Sequence, residues 1–299
     1  MFRLGKEEVR VNGDVEDFLS DLEVDGCKNK TIRDYRMVLN KFFEDCGKSG
    51  AAAVSVGDMR GFLKKTKKRL SHNTYFIYFW KLRKFFKDRN EKVYKYLKKF
   101  HVSIKDTDVE PFTKREIEML ARFFANKAEV YAIAFLLLVE TGLRVGELCG
   151  LLVEDLLDDE EDCTLVNVRV WASRSKTGKY RLVPFSVTSS AYRRLTKYLG
   201  CRRAEQKDFL LLNLHDKPLS PNRVARYFQA AKKILRIEKK CTPHVCRHTF
   251  ATACREAGVD KETVKAWLGH SKNSPMLDRI YDHPTKSRIR KARKMVQIT

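Results

Sequence analysis

Hydrophobic residues recur at helical spacing along the first third of the chain. In TIRDYRMVLNKFFEDCG, residues 31–47, the apolar side chains fall three or four positions apart, and Gly47 ends the run. Residues 71–90 repeat the pattern, with Ser71 or Asn73 as the N-cap. Their apolar stripe consists of Phe76, Phe79, Trp80, Leu82, Phe85 and Phe86. We interpret the stripe as core packing, so the pattern predicts a helical bundle.

A polar segment separates this region from the rest of the chain. HVSIKDTDVEP, residues 101–111, has no clear period and ends close to a proline. We therefore predict a helical N-terminal domain over 1–102, a linker over 103–111 and a second domain over 112–299.

The second domain begins with helical patterns. Thr113 and Glu116 have the spacing of a capping box. Residues 128–148, AEVYAIAFLLLVETGLRVGEL, are apolar on nearly all sides, which predicts a buried helix that breaks at Gly142.

The hydrophobic period then changes to two. Val166, Val168 and Val170 alternate with polar residues, SKTG supplies a turn, and β-type residues resume at Tyr180. The acid-rich residues 151–163, LLVEDLLDDEEDC, are interpreted as an exposed loop. The expected fold is mainly α, with a small antiparallel β-sheet in the C-terminal domain.

Positive charge is the strongest compositional signal. The net charge is +23, and residues 51–100 hold 15 lysines and arginines against 3 acidic residues. Such a field attracts polyanions, so we expect nucleic acid as the partner, ahead of an anionic membrane. The expected DNA-contacting residues are Lys64, Lys65, Lys67, Lys68, Arg69, Lys81, Arg83, Lys84 and Lys87. In the second patterned helix, the cations between the aromatic residues are expected on the outer face.

The chain shows no sign of export or of a membrane span. Its longest apolar run, residues 130–139, is far shorter than the ~18 residues of a membrane span, and the N-terminus lacks an export signal. We expect a cytoplasmic protein associated with the nucleoid.

The segment CTPHVCRHTFATACREAG, residues 241–258, has the pattern of an anion site. Thr242 can cap a helix whose first residue is Pro243. His244 and Arg247 would share a face in the first turns, where the helix dipole favours a phosphate. A zinc site would also need Cys246, which points away from His244, so we predict no metal. Cys246 and Cys254 are expected to be buried apolar residues.

Four further motifs carry candidate chemistry. TGLRVGEL places Arg144 at a helix break, with Glu147 able to pair with it. SKTGK places Lys176 near a hairpin tip, LGHS places His270 after a turn, and RIYDHP contains Tyr281. Three of these motifs have a structural alternative: an ion pair for Arg144 and Glu147, a helix C-cap for His270, and a surface aromatic for Tyr281.

Together, these motifs resemble the tyrosine recombinases, the family of phage integrases and Xer-like site-specific DNA recombinases. The resemblance covers residues 111–285, and residues 14–100 look like the family's core-binding domain. It implies a two-domain clamp on DNA. Carried over by position, the family's catalytic residues fall on Arg144, Lys176, His244, Arg247, His270 and Tyr281. Lys179 is an alternative for the lysine, and the eleven positions from His270 to Tyr281 exceed the usual family spacing.

The resemblance also implies a mechanism. Tyr281 would form a 3′-phosphotyrosyl bond, with Arg144 and Arg247 neutralising the phosphate and Glu147 orienting Arg144. His244 would serve as the base, His270 would bind a phosphate oxygen, and Lys176 would protonate the leaving oxygen.

The implied partners are double-stranded DNA recombination sites and a tetramer of the chain on two duplexes, with no metal or cofactor. The basic tail would dock onto a neighbouring subunit or bind DNA. Two alternatives stay open: a type IB topoisomerase and an architectural DNA-binding protein.

Overall fold

The protein is mainly helical, with one small antiparallel sheet, as predicted. The computed structural model describes residues 13–103, 109–172 and 180–269. The chain divides into two compact units, residues 1–107 and 108–299. Across the described ranges, no helix combines the length and the apolar character needed to cross a membrane.

The first unit consists of helices in its described part. They are α1 (Gly13–Val24), α2 (Asn29–Cys46), α3 (Val56–Arg69), α4 (His72–Phe86) and α5 (Glu91–Lys98), with a 3-10 turn at Ala51–Ala53. Gly47 ends α2 in the left-handed region, at φ 64°, as predicted. Ser71 caps α4 by accepting a hydrogen bond from the Thr74 N–H at 3.3 Å.

Aromatic side chains form the core of the first unit. Phe42 is fully buried and makes edge-on contacts with Phe43, Phe62 and Phe86 at centroid distances of 5.1 to 5.6 Å. These contacts join α2, α3 and α4 into the bundle that the apolar spacing of residues 31–47 and 71–90 predicted.

The predicted stripe of α4 is narrower than expected. Phe79, Leu82, Phe85 and Phe86 are buried, but Phe76 is half-buried and Trp80 is 40% exposed. At about 100° per residue, Phe76 and Trp80 lie roughly 120° and 160° around the helix from the fully buried Leu82, away from the face that packs in the core. The interpretation of all six residues as core was therefore wrong at these two positions.

The second unit contains seven helices and three strands in its described part. The helices are α6 (Lys114–Ala125), α7 (Glu129–Thr141), α8 (Val145–Leu148), α9 (Ser190–Arg202), α10 (Pro221–Ile234), α11 (Pro243–Glu256) and α12 (Lys261–Leu268). The strands are β1 (Leu156–Asp158), β2 (Leu165–Val170) and β3 (Arg181–Ser186).

Helix α7 is the centre of this unit and is buried on nearly all sides, as predicted. Its Phe135 stacks on Phe124 of α6 at 5.1 Å, and Phe124 contacts Phe228 of α10 at 4.9 Å. The predicted capping box of α6 is confirmed, because the Thr113 N–H donates to Glu116 at 2.7 Å and the Glu116 N–H donates to Thr113 at 3.2 Å.

The sheet is antiparallel in the order β1-β2-β3. Val166 pairs with Phe185 and Val168 pairs with Val183, and all four are buried. The period of two therefore predicted the buried face of β2 correctly.

The acid-rich segment is only partly the exposed loop that we predicted. It contains a 3-10 turn at Val153–Asp155 followed by β1. Asp155 is fully buried and accepts hydrogen bonds from Arg169 Nε at 3.3 Å and Trp171 Nε1 at 2.8 Å. The prediction failed here because donors distant in sequence offset the cost of burying this carboxylate.

Candidate functional site

Arg144 follows the break at the end of α7. The Arg144 Nη1 donates to Glu147 Oε1 at 2.8 Å, and its backbone N–H donates to Glu147 Oε2 at 2.9 Å. The pairing predicted between the two residues is confirmed. Glu147 therefore caps α8 and orients the Arg144 side chain at once.

Only glycine fits at the break itself. Gly142 has φ +62°, and a Cβ there would lie 2.6 Å from Phe250 and 2.7 Å from Leu268. The turn therefore needs both the left-handed backbone and the missing side chain. This close packing brings α7 against α11 and the end of α12.

Arg247 is the most deeply buried cation of the site, at 2% exposure. Its Nη1 donates to the Gly142 carbonyl at 2.8 Å, and its Nη2 donates to the Leu268 carbonyl. Both carbonyls lie at helix C-termini, where unpaired acceptors and the helix dipole favour a positive charge. Arg247 thus joins the turn before Arg144 to the end of α12.

The two predicted arginines interact electrostatically. Burial, followed by the charge of Arg144, lowers the pKa of Arg247 to about 9, although Glu147 acts in the opposite direction. Like charges are therefore held close together in a partly dry site. An anion such as a phosphate would relieve their repulsion.

His244 lies at the surface in the first turn of α11. Partial burial, and then the positive charges of Arg247, Arg144 and Lys240, lower the pKa of His244. A neutral imidazole at neutral pH can accept a proton. One part of the prediction for this turn was wrong: Thr242 occupies the cap position, but its side chain makes no cap hydrogen bond.

The cysteines of α11 face the interior, as predicted. Cys246 is fully buried and Cys254 is 9% exposed. Burial raises the pKa of Cys254 to about 11 and that of Cys246 well above its usual range. Within 13–103, 109–172 and 180–269, no cluster of three His, Cys, Asp or Glu side chains is placed to hold a metal ion.

Several predicted site residues lie outside the described residues: Lys176, its alternative Lys179, His270 and Tyr281. The structure describes the strand that follows the two lysines in sequence and the helix that precedes His270 and Tyr281. Strand β3 begins at Arg181, and α12 ends with Gly269 at φ +61°.

Sequence analysis missed one residue of this cluster, Arg181. It is 6% exposed, its Nη2 donates to Glu147 Oε2 at 2.7 Å, and its Nε donates to the Trp267 carbonyl at 2.7 Å. The alternation of β3 could have indicated its burial. Side chains two positions apart on a strand point the same way, so Arg181 lies on the buried face with Val183 and Phe185.

The predicted DNA-contacting cations of the first unit differ in exposure. Those that are exposed are Lys64, Lys65, Lys67, Lys68, Arg69, Lys84 and Lys87. Lys65 also pairs with Asp45.

Lys81 and Arg83 are half-buried rather than on the outer face as predicted. They lie over the rings of Tyr35 and Trp80 at 4.8 and 4.6 Å. Their long side chains cover aromatic surface, which the charge pattern alone did not indicate.

The fold and the site define a mainly helical protein of two units in which Arg144, Arg181 and Arg247 form a cationic cluster around Glu147 and two helix ends. Residues 110–288 match the family described as Phage integrase family, and residues 15–91 match the phage integrase N-terminal SAM-like domain. The chain belongs to the phage integrase family and is a tyrosine recombinase, a site-specific recombinase that breaks and rejoins DNA.

Two named relatives illustrate the range of similarity. The tyrosine recombinase XerA of Pyrococcus horikoshii is 31% identical over 96% of this chain and 94% of its own length. The tyrosine recombinase XerD of Staphylococcus aureus is 36% identical over 52% of this chain and 50% of its own.

Solved structures share the fold. A lambda integrase dimer bound to a COC′ core site matches with a TM-score of 0.74 at 19% identity, over 91% of this chain and 77% of that one. The Tn1549 transposon integrase in complex with transposon right end DNA matches with a TM-score of 0.70 at 21% identity, over 94% and 98%.

Proposed function

We propose that this recombinase cleaves each DNA strand through Tyr281. The Tyr281 oxygen attacks the scissile phosphorus, a 3′-phosphotyrosyl bond forms, and the bond from phosphorus to the 5′-oxygen breaks. The observation that carries the proposal is the joining of Arg144, His244 and Arg247, which are far apart in sequence, into one cationic cluster.

The described residues of the cluster have distinct roles in this proposal. Arg144 and Arg247 stabilise the charge that builds on the non-bridging oxygens, a contribution that is usually large in enzymes. His244, which is exposed and has a lowered pKa, accepts the tyrosine proton. Glu147 orients Arg144 through the two hydrogen bonds described above.

The remaining roles fall on residues outside the described ranges. Lys176, or Lys179 in its place, donates the proton that the leaving 5′-oxygen takes up. His270 donates a hydrogen bond to a phosphate oxygen. The position of the preceding residue supports this role. Gly269 packs against the side chain of Arg181, which binds Glu147, so the chain reaches the cluster one residue before His270.

We further propose that residues 1–102 bind DNA as a core-binding domain, joined through a linker at 103–111 to a catalytic domain over 112–299. The two domains would clamp a duplex recombination site in the cytoplasm, at the nucleoid. Four protomers would assemble on two duplexes, since strand exchange needs two sites. The lambda and Tn1549 integrases, whose folds this chain shares, were both solved bound to DNA, which supports a DNA partner.

The first experiment tests the nucleophile. Wild-type protein is incubated with a randomised duplex pool and denatured, and covalently trapped DNA is recovered and sequenced, which defines the site. We expect Tyr281→Phe to bind the same DNA but give no adduct, and wild type to form the adduct in EDTA without nucleotide. A full adduct from Tyr281→Phe would move the nucleophile to another residue.

A plasmid assay separates the alternative functions. Supercoiled plasmids with two copies of the trapped site, or with none, are incubated with the protein. Exchange between paired sites supports recombination, whereas relaxation that ignores the site indicates a topoisomerase. Binding without breakage would indicate an architectural protein.

A further inference from the structure

Arg181 occupies the centre of the cluster without belonging to the predicted catalytic set. It is the first residue of β3, and its side chain is nearly completely buried. It grips Glu147 with both terminal nitrogens, Nη2 to Oε2 at 2.7 Å and Nη1 to Oε1 at 3.4 Å. This two-point contact fixes the plane of the carboxylate.

The same carboxylate holds Arg144. Glu147 Oε1 accepts from Arg144 Nη1, and Oε2 accepts from the Arg144 backbone, so each oxygen serves both arginines. Burial raises the pKa of Glu147, but the hydrogen bonds and charge of Arg181, followed by the backbone and side-chain hydrogen bonds of Arg144, more than offset burial and lower it. Glu147 is therefore a carboxylate whose stronger partner is Arg181.

The charge balance gives Arg181 a second effect. Glu147 paired with Arg144 alone would cancel the positive charge that Arg144 brings to a phosphate. With Arg181 present, the three side chains carry one net positive charge. Arg247 adds to it, so the cluster stays cationic although it contains a carboxylate.

Arg181 also holds the end of α12. Its Nε donates to the Trp267 carbonyl at 2.7 Å, beside the Leu268 carbonyl that Arg247 binds. A Cβ at Gly269 would lie 3.0 Å from Arg181 Nη1, so only glycine packs there without displacing the guanidinium. Arg181 thus joins three segments: the start of β3, Glu147 at α8, and Gly269 at the end of α12.

We propose that Arg181 is a positioning residue for DNA cleavage, which holds Glu147 so that Arg144 presents a fixed and uncompensated charge to the scissile phosphate. This inference rests on the proposed function. Lysine cannot replace Arg181, because one ammonium group cannot bind both carboxylate oxygens and the Trp267 carbonyl in this geometry.

The test measures single-turnover cleavage of nicked duplexes that carry the trapped site. We expect Arg181→Met to cleave about 10- to 100-fold more slowly at saturating DNA, as is typical when the support of a site residue is removed. The dissociation constant for DNA should stay near that of wild type. Arg181→Lys should be closer to Arg181→Met than to wild type.

A neutral substrate distinguishes positioning from general damage to the fold. When a methyl group replaces one non-bridging oxygen of the scissile phosphate, the negative charge that Arg144 faces is removed. The defects of Arg181→Met and Arg144→Ala should then both shrink several-fold. Arg169→Met is the matched control, because Arg169 also pairs with a buried carboxylate, Asp155, but does not bind Glu147. Any defect of this control should be equal on both substrates.

Three results would overturn the proposal. The first is cleavage by Arg181→Met at the wild-type rate, and the second is a defect of Arg181→Met that Arg169→Met reproduces. The third is a slower cleavage of the natural phosphate that is matched by an equal loss of DNA affinity. Wild type and Tyr281→Phe are run in parallel. If wild type gives no Tyr281-dependent adduct, the proposed function fails; if that adduct forms while Arg181→Met is fully active, only the role of Arg181 fails.

Discussion

At the scale of single residues, the site places the buried guanidinium of Arg247 near a second positive charge, that of Arg144. Arg247 is nearly fully buried, and its pKa of about 9 reflects burial first and the charge of Arg144 second. Such a guanidinium is still protonated at neutral pH. A phosphate bound as proposed would therefore meet charges already in position, which is the condition for strong electrostatic stabilisation.

Sequence patterns identified Arg144, His244 and Arg247, because each belongs to a motif with its own local geometry. Arg181 was missed for the opposite reason. Its neighbours in KYRLVPF give an ordinary strand, and its partners Glu147 and Trp267 are 34 and 86 positions away. Only a fold can reveal a role that depends on such distant contacts.

His244 provides a prediction on pH. Because its pKa is lowered, the imidazole should titrate below pH 6.5 in the free protein, so it is neutral at pH 7 and becomes charged only as the pH falls through its pKa. NMR titration of the histidine ring protons, with His244→Gln for assignment, measures this. Lys240→Gln removes a nearby positive charge and should raise the midpoint, whereas Lys233→Gln should leave it unchanged. A midpoint at or above 6.5 would contradict the lowered pKa.

At the scale of elements, the sequence predicted correctly those helix ends whose hydrogen bonds or backbone conformation depend only on residues close in sequence. The capping box of α6, the cap of α4 and the glycine ends of α2 and α7 formed as predicted. Strand β1 was missed because its three residues, Leu156–Asp158, lie in an acid-rich segment. It pairs with β2 directly after the buried contacts of Asp155 with Arg169 and Trp171, which no local pattern reports.

The break between α7 and α8 yields a prediction on stability. Gly142→Ala should lower the free energy of unfolding of the second unit by more than the roughly 1–2 kcal/mol of left-handed strain alone, because its Cβ also meets Phe250 and Leu268. It should also slow cleavage, since the Gly142 carbonyl positions Arg247. Denaturant unfolding and adduct formation measure the two effects.

Gly47 offers the matched control for this prediction. It ends α2 at φ +64°, but nothing lies within 4 Å of a Cβ built there. Gly47→Ala should therefore cost only the backbone strain and leave cleavage unchanged. Equal losses of stability in the two variants would show that the packing of Phe250 and Leu268 adds nothing at Gly142.

At the scale of the whole molecule, the chain uses positive charge in two ways. In the second unit, Arg181 and Arg247 are buried and Arg144 is partly buried, and all three bind carbonyls or the Glu147 carboxylate. In the first unit, most of the basic residues of α3 and α4 are exposed to solvent. Buried cations suit the chemistry at a single phosphate, whereas exposed cations suit contacts along many phosphates. The net charge of +23 therefore combines buried and exposed cations, which composition alone cannot separate.

The exposed charge of α3 gives the last prediction. Lys67 and Lys68 lie three and four positions after Lys64 on one helix, so they share with it a face that suits backbone phosphates. If all three bind phosphates, their joint change to glutamine should reduce the slope of log affinity against log salt by roughly 2 to 3, since each lost contact contributes about 0.9. Fluorescence anisotropy with a duplex that lacks the recombination site measures this slope. Lys95→Gln is the control, because Lys95 is already paired with Glu91 at 2.6 Å and should leave the slope unchanged. An unchanged slope in the triple variant would place the DNA contact on another face of the first unit.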